Sequence, residues 1–210
     1  LGVPLGILWI LAAVNSMNLL DGMDGLAGTV GLLLSVTIGL MAICTGRWVE
    51  ATVAFALAGS LLGFLRLNWP PAQIYLGDSG SMLIGLILGA LSIRCEVKDA
   101  TSVAVAAPLA MFAIPLLDSF AAVVRRKLTG RSMYTTDRGH IHHRMLTQGL
   151  SNQQTLYVLG GLCSLTCLGG LLDVYLRNVA FPFGLVSVLL VVGILLSTRI
   201  FGNSELSLLG

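Results

Sequence analysis

Two aspartates three residues apart, Asp21 and Asp24, each followed by glycine, close the stretch Asn15-Ser16-Met17-Asn18-Leu19-Leu20-Asp21-Gly22-Met23-Asp24-Gly25. On a helical turn that spacing puts both carboxylates on one face, and glycines let the backbone come close to a ligand. Another acid, Asp78, lies in Gly77-Asp78-Ser79-Gly80, shortly after Asn68, Pro70-Pro71 and Tyr75. A third polar segment, Asp137-Arg138-Gly139-His140-Ile141-His142-His143-Arg144, holds all three histidines of the chain. Carboxylates without matching cations are the oxygen ligands Mg2+ takes, with phosphate completing its shell. Arginine and histidine together in a polar loop suit phosphate. Acids on one hand and Arg and His on the other are best explained by a phosphorylated substrate bridged by a metal ion.

Each segment also has a plainer reading. Asp24 could cap a helix start, and Asp78 could sit at the positive end of the next helix. Trp69 and Tyr75 fit an interfacial aromatic belt, and Arg125-Arg126-Lys127 fits a stop-transfer cluster facing anionic lipid. The histidines could form a zinc site, but no cysteine accompanies them and neighbouring arginines would repel a cation.

The elements that must position these groups are read from composition and hydropathy. Only 10% of the 210 residues are charged and 56% are hydrophobic, where about 25% charged is usual for soluble domains. Mean hydropathy is +0.90. This argues against a water-soluble domain, a disordered chain and a nucleic-acid partner, and for an integral membrane protein. Continuous apolar runs fall at 1–14, 26–46, 51–67, 80–94, 101–124, 154–176 and 178–200. Such runs predict helices and not a barrel. The expectation is a single all-α domain over 1–210, a polytopic transmembrane bundle of about seven membrane helices, the first run being too short to span. Small residues four apart, Gly59 with Gly63 and Gly85 with Gly89, predict close helix approach. Cys163 and Cys167 read as packing residues, and Cys44 and Cys95 as pairable only on a shared oxidising face.

Polar connections alternate between two sides. One side carries Arg66, Arg125, Arg126, Lys127, Arg131, Arg138, Arg144 and Arg199; the other carries Arg47, Arg94, Lys98 and Arg177. The basic excess marks the first side as cytoplasmic, and all three polar segments lie there. An aspartate in mid-membrane costs about 2.5–3.5 kcal/mol. Asp21, Asp24, Asp78 and Asp118 facing lipid would together cost on the order of 10 kcal/mol, so they belong at the boundary or in a wet cleft. A site at the bilayer edge suits a lipid as one substrate.

The strings NSMNLLDGMDGLAG, FLRLNWPPAQIYLGDSGS and RRKLTGRSMYTTDRGHIHHRM, in this order and on one side, resemble the polyprenyl-phosphate N-acetylhexosamine-1-phosphate transferases, glycosyltransferase family 4. With their helices they cover nearly all of 1–150. Asp137-Arg138 before His140-Ile141-His142-His143 is similar to the undecaprenyl-phosphate GlcNAc-1-phosphate transferase branch, whereas the muramoyl-pentapeptide branch carries three adjacent histidines. The resemblance implies a multi-pass cell-membrane enzyme in which a lipid phosphate attacks the β-phosphorus of a UDP-N-acetylhexosamine. The products are polyprenyl-pyrophosphate-sugar and UMP, initiating a cell-envelope glycan such as lipopolysaccharide or teichoic acid.

It also implies Mg2+, with Mn2+ the alternative ion, held by Asp78. Asp21 and Asp24 match the family's catalytic acids, and Asn18 and Asn68 match nucleotide-site positions. Tyr75 falls where an aromatic stacks on uracil. His140, His142, His143 and Arg144 match the loop gripping the nucleotide-sugar. Asp118 fits the branch in a supporting role, and a homodimer is a further expectation. The family's upstream Asp-Asp motif and N-terminal helices have no counterpart here, so the 210 residues alone are expected to be inactive.

Three other readings compete. A transporter for an anionic solute would spread its polar groups near the midplane of several spans, whereas these cluster at one face. A non-catalytic membrane scaffold would have no reason to keep the acids and the His segment. A muramoyl-pentapeptide transferase is the alternative inside the family.

Overall fold

A computed structural model of the chain describes residues 2–95, 103–128, 140–176 and 181–197. Arg131, Asp137, Arg138, Lys98, Arg177 and Arg199, used above for the motif or the orientation, lie outside the described residues. Those described form helices and loops with no strand: α1 (Gly2–Leu20), α2 (Leu26–Cys44), α3 (Trp48–Asn68), α4 (Gly77–Arg94), α5 (Val103–Met111), α6 (Ala113–Leu128), α7 (Ile141–Thr147), α8 (Asn152–Tyr175) and α9 (Phe183–Ser197). Among them α1, α2, α3 and α8 are long and apolar enough to cross a membrane, and α9 is a shorter apolar helix.

Two boundaries differ from the hydropathy reading. The first helix does not stop near residue 14 but runs on through Asn15–Leu20, reaching 19 residues. Two of its polar residues turn back on the helix: Asn15 Nδ2 donates to Leu11 O and Ser16 Oγ to Ala13 O. No proline or glycine breaks it there. The run 101–124 is two helices, interrupted at Phe112. Pro115 lacks the N–H that would bond the Met111 carbonyl four residues back, and its ring crowds that carbonyl.

Side-chain contacts show how several of these helices pair. α1 and α4 run antiparallel: Trp9 Nε1 donates to Ser92 Oγ (2.9 Å), and Asn18 bonds Asp78 and Ser81 at the other end. Gly85 is what permits this approach, since a Cβ there would lie 2.7 Å from Val14 Cα. Gly89 faces Ala13 in the same seam, as the four-residue spacing predicts. Gly59 and Gly63 do not behave so, with nothing within 4 Å of either Cβ position. α2 and α3 form a hairpin, with Gly28 against Leu65 and Gly39 against Phe55. α8 runs alongside α2, and Asp173 ties its far end to the start of α9 by accepting from Gly184 N at 2.9 Å.

The loop 21–25, the segment 69–76 and the start of α7 therefore gather at one end of the bundle. At the opposite end Arg94 Nε meets Glu50 Oε1 at 2.9 Å. All four cysteines are free, and Cys163 and Cys167 are buried with their sulfurs 4.0 Å apart.

Candidate active site

The acid loop is built by two breaks. α1 ends at Leu20, and Gly25 then takes the left-handed φ of 77° that starts α2. The Gly25 N–H points to Asn68 Oδ1 at 3.0 Å. A side chain at Gly25 would be strained by that φ and would press on Leu156 and Pro70, 3.1 and 3.3 Å away. Asp24 is not the cap of α2: its Oδ2 accepts from Ala72 N across the cleft at 3.0 Å.

The second wall follows from Pro70. The residue before a proline is pushed out of the helical region, so Trp69 is extended (φ −62°, ψ 140°) and α3 ends at Asn68. Asn68 is buried, and its amide is committed on both sides, since Nδ2 also donates to Ile74 O at 2.7 Å. It thus clamps the acid loop to the 69–76 segment. Gln153 of α8 holds the same segment by donating to Pro70 O at 3.2 Å, and Tyr157 lies against Trp69 with ring centres 5.9 Å apart. Asp78 stands in the first turn of α4 but makes no side-chain cap; its Oδ1 accepts from Asn18 Nδ2 at 3.1 Å.

Asp21, Asp24, Asn68, Tyr75 and Asp78 line one cleft of about 280 Å³, with Gly22, Met23, Leu76 and Gly77 completing it. Tyr75 is open to its surroundings, 77% exposed. Burial, and then the charge of Asp78, push the Asp21 carboxyl up from its ordinary 3.8 to about 6. An acid raised partly by the charge of a neighbouring carboxylate marks a site that favours a cation. Among the described residues no three His, Cys, Asp or Glu side chains form a complete cage. One or two carboxylates completed by substrate phosphate and water are, however, the usual Mg2+ arrangement, and the oxygen donors of Asp78 and Asp21 fit it.

The histidine segment abuts this cleft without lining it. A Cβ on Gly22 would lie 2.8 Å from His142 Nε2, so the imidazole packs directly on the acid loop. His142 stacks nearly parallel on His140, with centres 5.7 Å apart and 12° between planes, and lies 4.3 Å from the His143 ring. Burial, and then His143, lower the His142 pKa from 6.5 to about 4, so this ring is neutral at pH 7. Arg144, half-buried, follows in α7. His140 is fixed by Asp118, whose Oδ2 lies 2.9 Å from Nδ1 while its Oδ1 accepts from Ile141 N at 2.8 Å. The sequence marked Asp118 only as supporting. A lone acid inside an apolar, proline-broken helix was the available signal for this anchor. Gly22 was read as letting the backbone approach a ligand, and the group it approaches here is the His142 ring.

Several apolar helices long enough to span a membrane, with an acidic cleft at one end and a histidine helix abutting it, define a multi-pass membrane protein. The sequence profile of glycosyl transferase family 4 matches residues 1–96. Over 168 residues, 79% of this chain, it is 33% identical to a probable undecaprenyl-phosphate N-acetylglucosaminyl 1-phosphate transferase of Bacillus subtilis, covering 47% of that protein. A decaprenyl-phosphate N-acetylglucosaminephosphotransferase of Mycobacterium tuberculosis is 37% identical over 71% of the chain and 42% of its own length. A phospho-N-acetylmuramoyl-pentapeptide-transferase of Moorella thermoacetica is 31% identical over 80% of the chain and 51% of its own length. The chain belongs to glycosyl transferase family 4, and it spans about half the length of the curated relatives it matches.

Proposed function

We propose that the intact protein transfers N-acetylhexosamine-1-phosphate from a UDP-sugar to a polyprenyl phosphate and releases UMP. One observation carries the reading: the acid loop, the Asp78 turn and the histidine segment meet at a single end of the bundle, with Gly22 against His142. In this reading about seven helices of the chain lie in the membrane, and the cleft opens on the cytoplasmic side, where a nucleotide-sugar and a lipid headgroup would meet.

In the reaction a lipid phosphate oxygen forms a bond to the β-phosphorus of the UDP-sugar, and the bond from that phosphorus to UMP breaks. Catalysis of this kind is mostly positioning and neutralisation of phosphate charge. Asp78, with Asp21 beside it, would hold Mg2+, which supplies that neutralisation when bound. Asn18 orients the Asp78 carboxylate through its amide. Asp21, in the same cleft as Asp78, is the carboxylate placed to take the proton of a monoprotonated lipid phosphate. Asp24 and Asn68 hold the cleft in shape, and Tyr75 offers an exposed ring for the uracil. His143 and Arg144 are assigned to the departing UMP, and neutral His142 to the wall behind the acid loop.

The Moorella relative favours a second reading, in which UDP-MurNAc-pentapeptide is the donor. Incubating the intact protein with polyprenyl phosphate and either donor, and weighing the lipid product, separates the two. Polyprenyl-pyrophosphate-GlcNAc is the expected product. A muropeptide lipid alone would replace this reading, and no lipid product from either donor would end both.

A further inference from the structure

Of the three histidine rings, His140 makes the one side-chain hydrogen bond found among the described residues, to Asp118. His142 is 1% exposed, yet neither of its ring nitrogens has a partner. Its place is set by packing: His140 on one face, His143 on the other side and the Gly22 backbone at Nε2. The polar anchor of this stack is thus a single carboxylate, 2% exposed, from a different helix. It takes both the His140 ring N–H and the first amide of α7. The break at Phe112 starts α6 afresh, five residues before Asp118.

We infer that Asp118 is a positioning residue for the donor-gripping segment. Its carboxylate fixes His140 with the proton on Nδ1 in the neutral ring, pins the start of α7, and through the stacked rings seats His142 on the acid loop. This rests on the phosphotransferase reading above for its kinetic consequence, not for its geometry. Around metal-bound imidazoles the carboxylate that orients the ring from behind contributes about 10–100-fold, and the same scale is expected for the ring held here.

The test compares wild type, Asp118→Asn, His140→Gln and the double variant of the intact protein in lipid nanodiscs. It reads kcat/KM for UMP release and the amide hydrogen exchange of residues 140–147. Asp118→Asn should lower kcat/KM about 10–100-fold and speed exchange in α7. In the His140→Gln background the same substitution should cost at least about threefold less, because residues acting through one contact are not additive. Asp118→Glu, which keeps the charge, should show the same coupling if Asp118→Asn fails to accumulate. A loss within about twofold, or an equal loss in both backgrounds, overturns the proposal. If wild type releases no UMP, the phosphotransferase reading fails alone and the exchange comparison decides. Faster α7 exchange in Asp118→Asn then upholds the anchor, and unchanged exchange overturns it.

Discussion

Gly22 and His142, 120 positions apart in the chain, meet so closely that a Cβ on the glycine would stand 2.8 Å from the imidazole Nε2. The contact joins the loop that carries Asp21 and Asp24 to the segment that carries the histidines. Gly22→Ala should therefore push His142 out of its seat. Overpacking of this kind costs about 1–3 kcal/mol, visible as a lowered thermal midpoint, and kcat/KM should fall with it. In the double variant Gly22→Ala/His142→Ala the midpoint should recover while activity stays low. A midpoint that stays low in the double variant would contradict the contact.

Asn68 joins the two cleft walls through Gly25 N–H and Ile74 O. Asn68→Ala leaves the buried Gly25 N–H without its partner, at about 1–3 kcal/mol, and frees the part-buried Ile74 carbonyl. Asn68→Asp keeps an acceptor for Gly25 but turns an oxygen toward the Ile74 carbonyl. Both variants should loosen the cleft and raise KM for the UDP-sugar, the alanine variant more than the aspartate one in stability. Equal stability to wild type in a denaturation series would show that the clamp contributes nothing.

Two shifted groups in contacting segments oppose each other in acid. The Asp21 carboxyl, at about 6 in the folded protein against 3.8 ordinarily, holds its proton more tightly when folded. The fold therefore gains stability from it as pH falls from about 6 toward 3.8. His142, at about 4 against 6.5, binds its proton less tightly when folded, so the fold loses stability as pH falls from 6.5 toward 4. The windows overlap, and wild type should be nearly flat across them. Thermal midpoints measured with chelator present should fall in Asp21→Asn as pH drops from about 6.5 to about 4, and rise in His142→Gln. The same slope in all three proteins would contradict both assignments.

Much of this site was legible because its signals were local. Asp21, Asp24, Asn68, Tyr75 and Asp78 are polar residues at the breaks between apolar runs, and those breaks come together once the helices pack. The end of α1 was hidden because Asn15 and Ser16 satisfy their polar groups on their own helix. The Phe112 break was written in Pro115, but hydropathy does not register a missing N–H. Asp118 and Gly22 were harder. Their importance lies in partners more than twenty residues away, and sequence spacing carries no information about such pairs. Gly59 and Gly63 show the converse, a close-approach pattern with no neighbour among the described residues.

The most direct measurement is UMP release from UDP-GlcNAc by the intact protein, with polyprenyl phosphate and Mg2+ each supplied or withheld, in wild type and Asp78→Asn. The account predicts release that needs both additions and falls at least about a hundredfold in Asp78→Asn, the scale at which lost charge stabilisation appears in phosphate and acyl chemistry. Release that persists without the lipid phosphate, or that Asp78→Asn leaves unchanged, would contradict it.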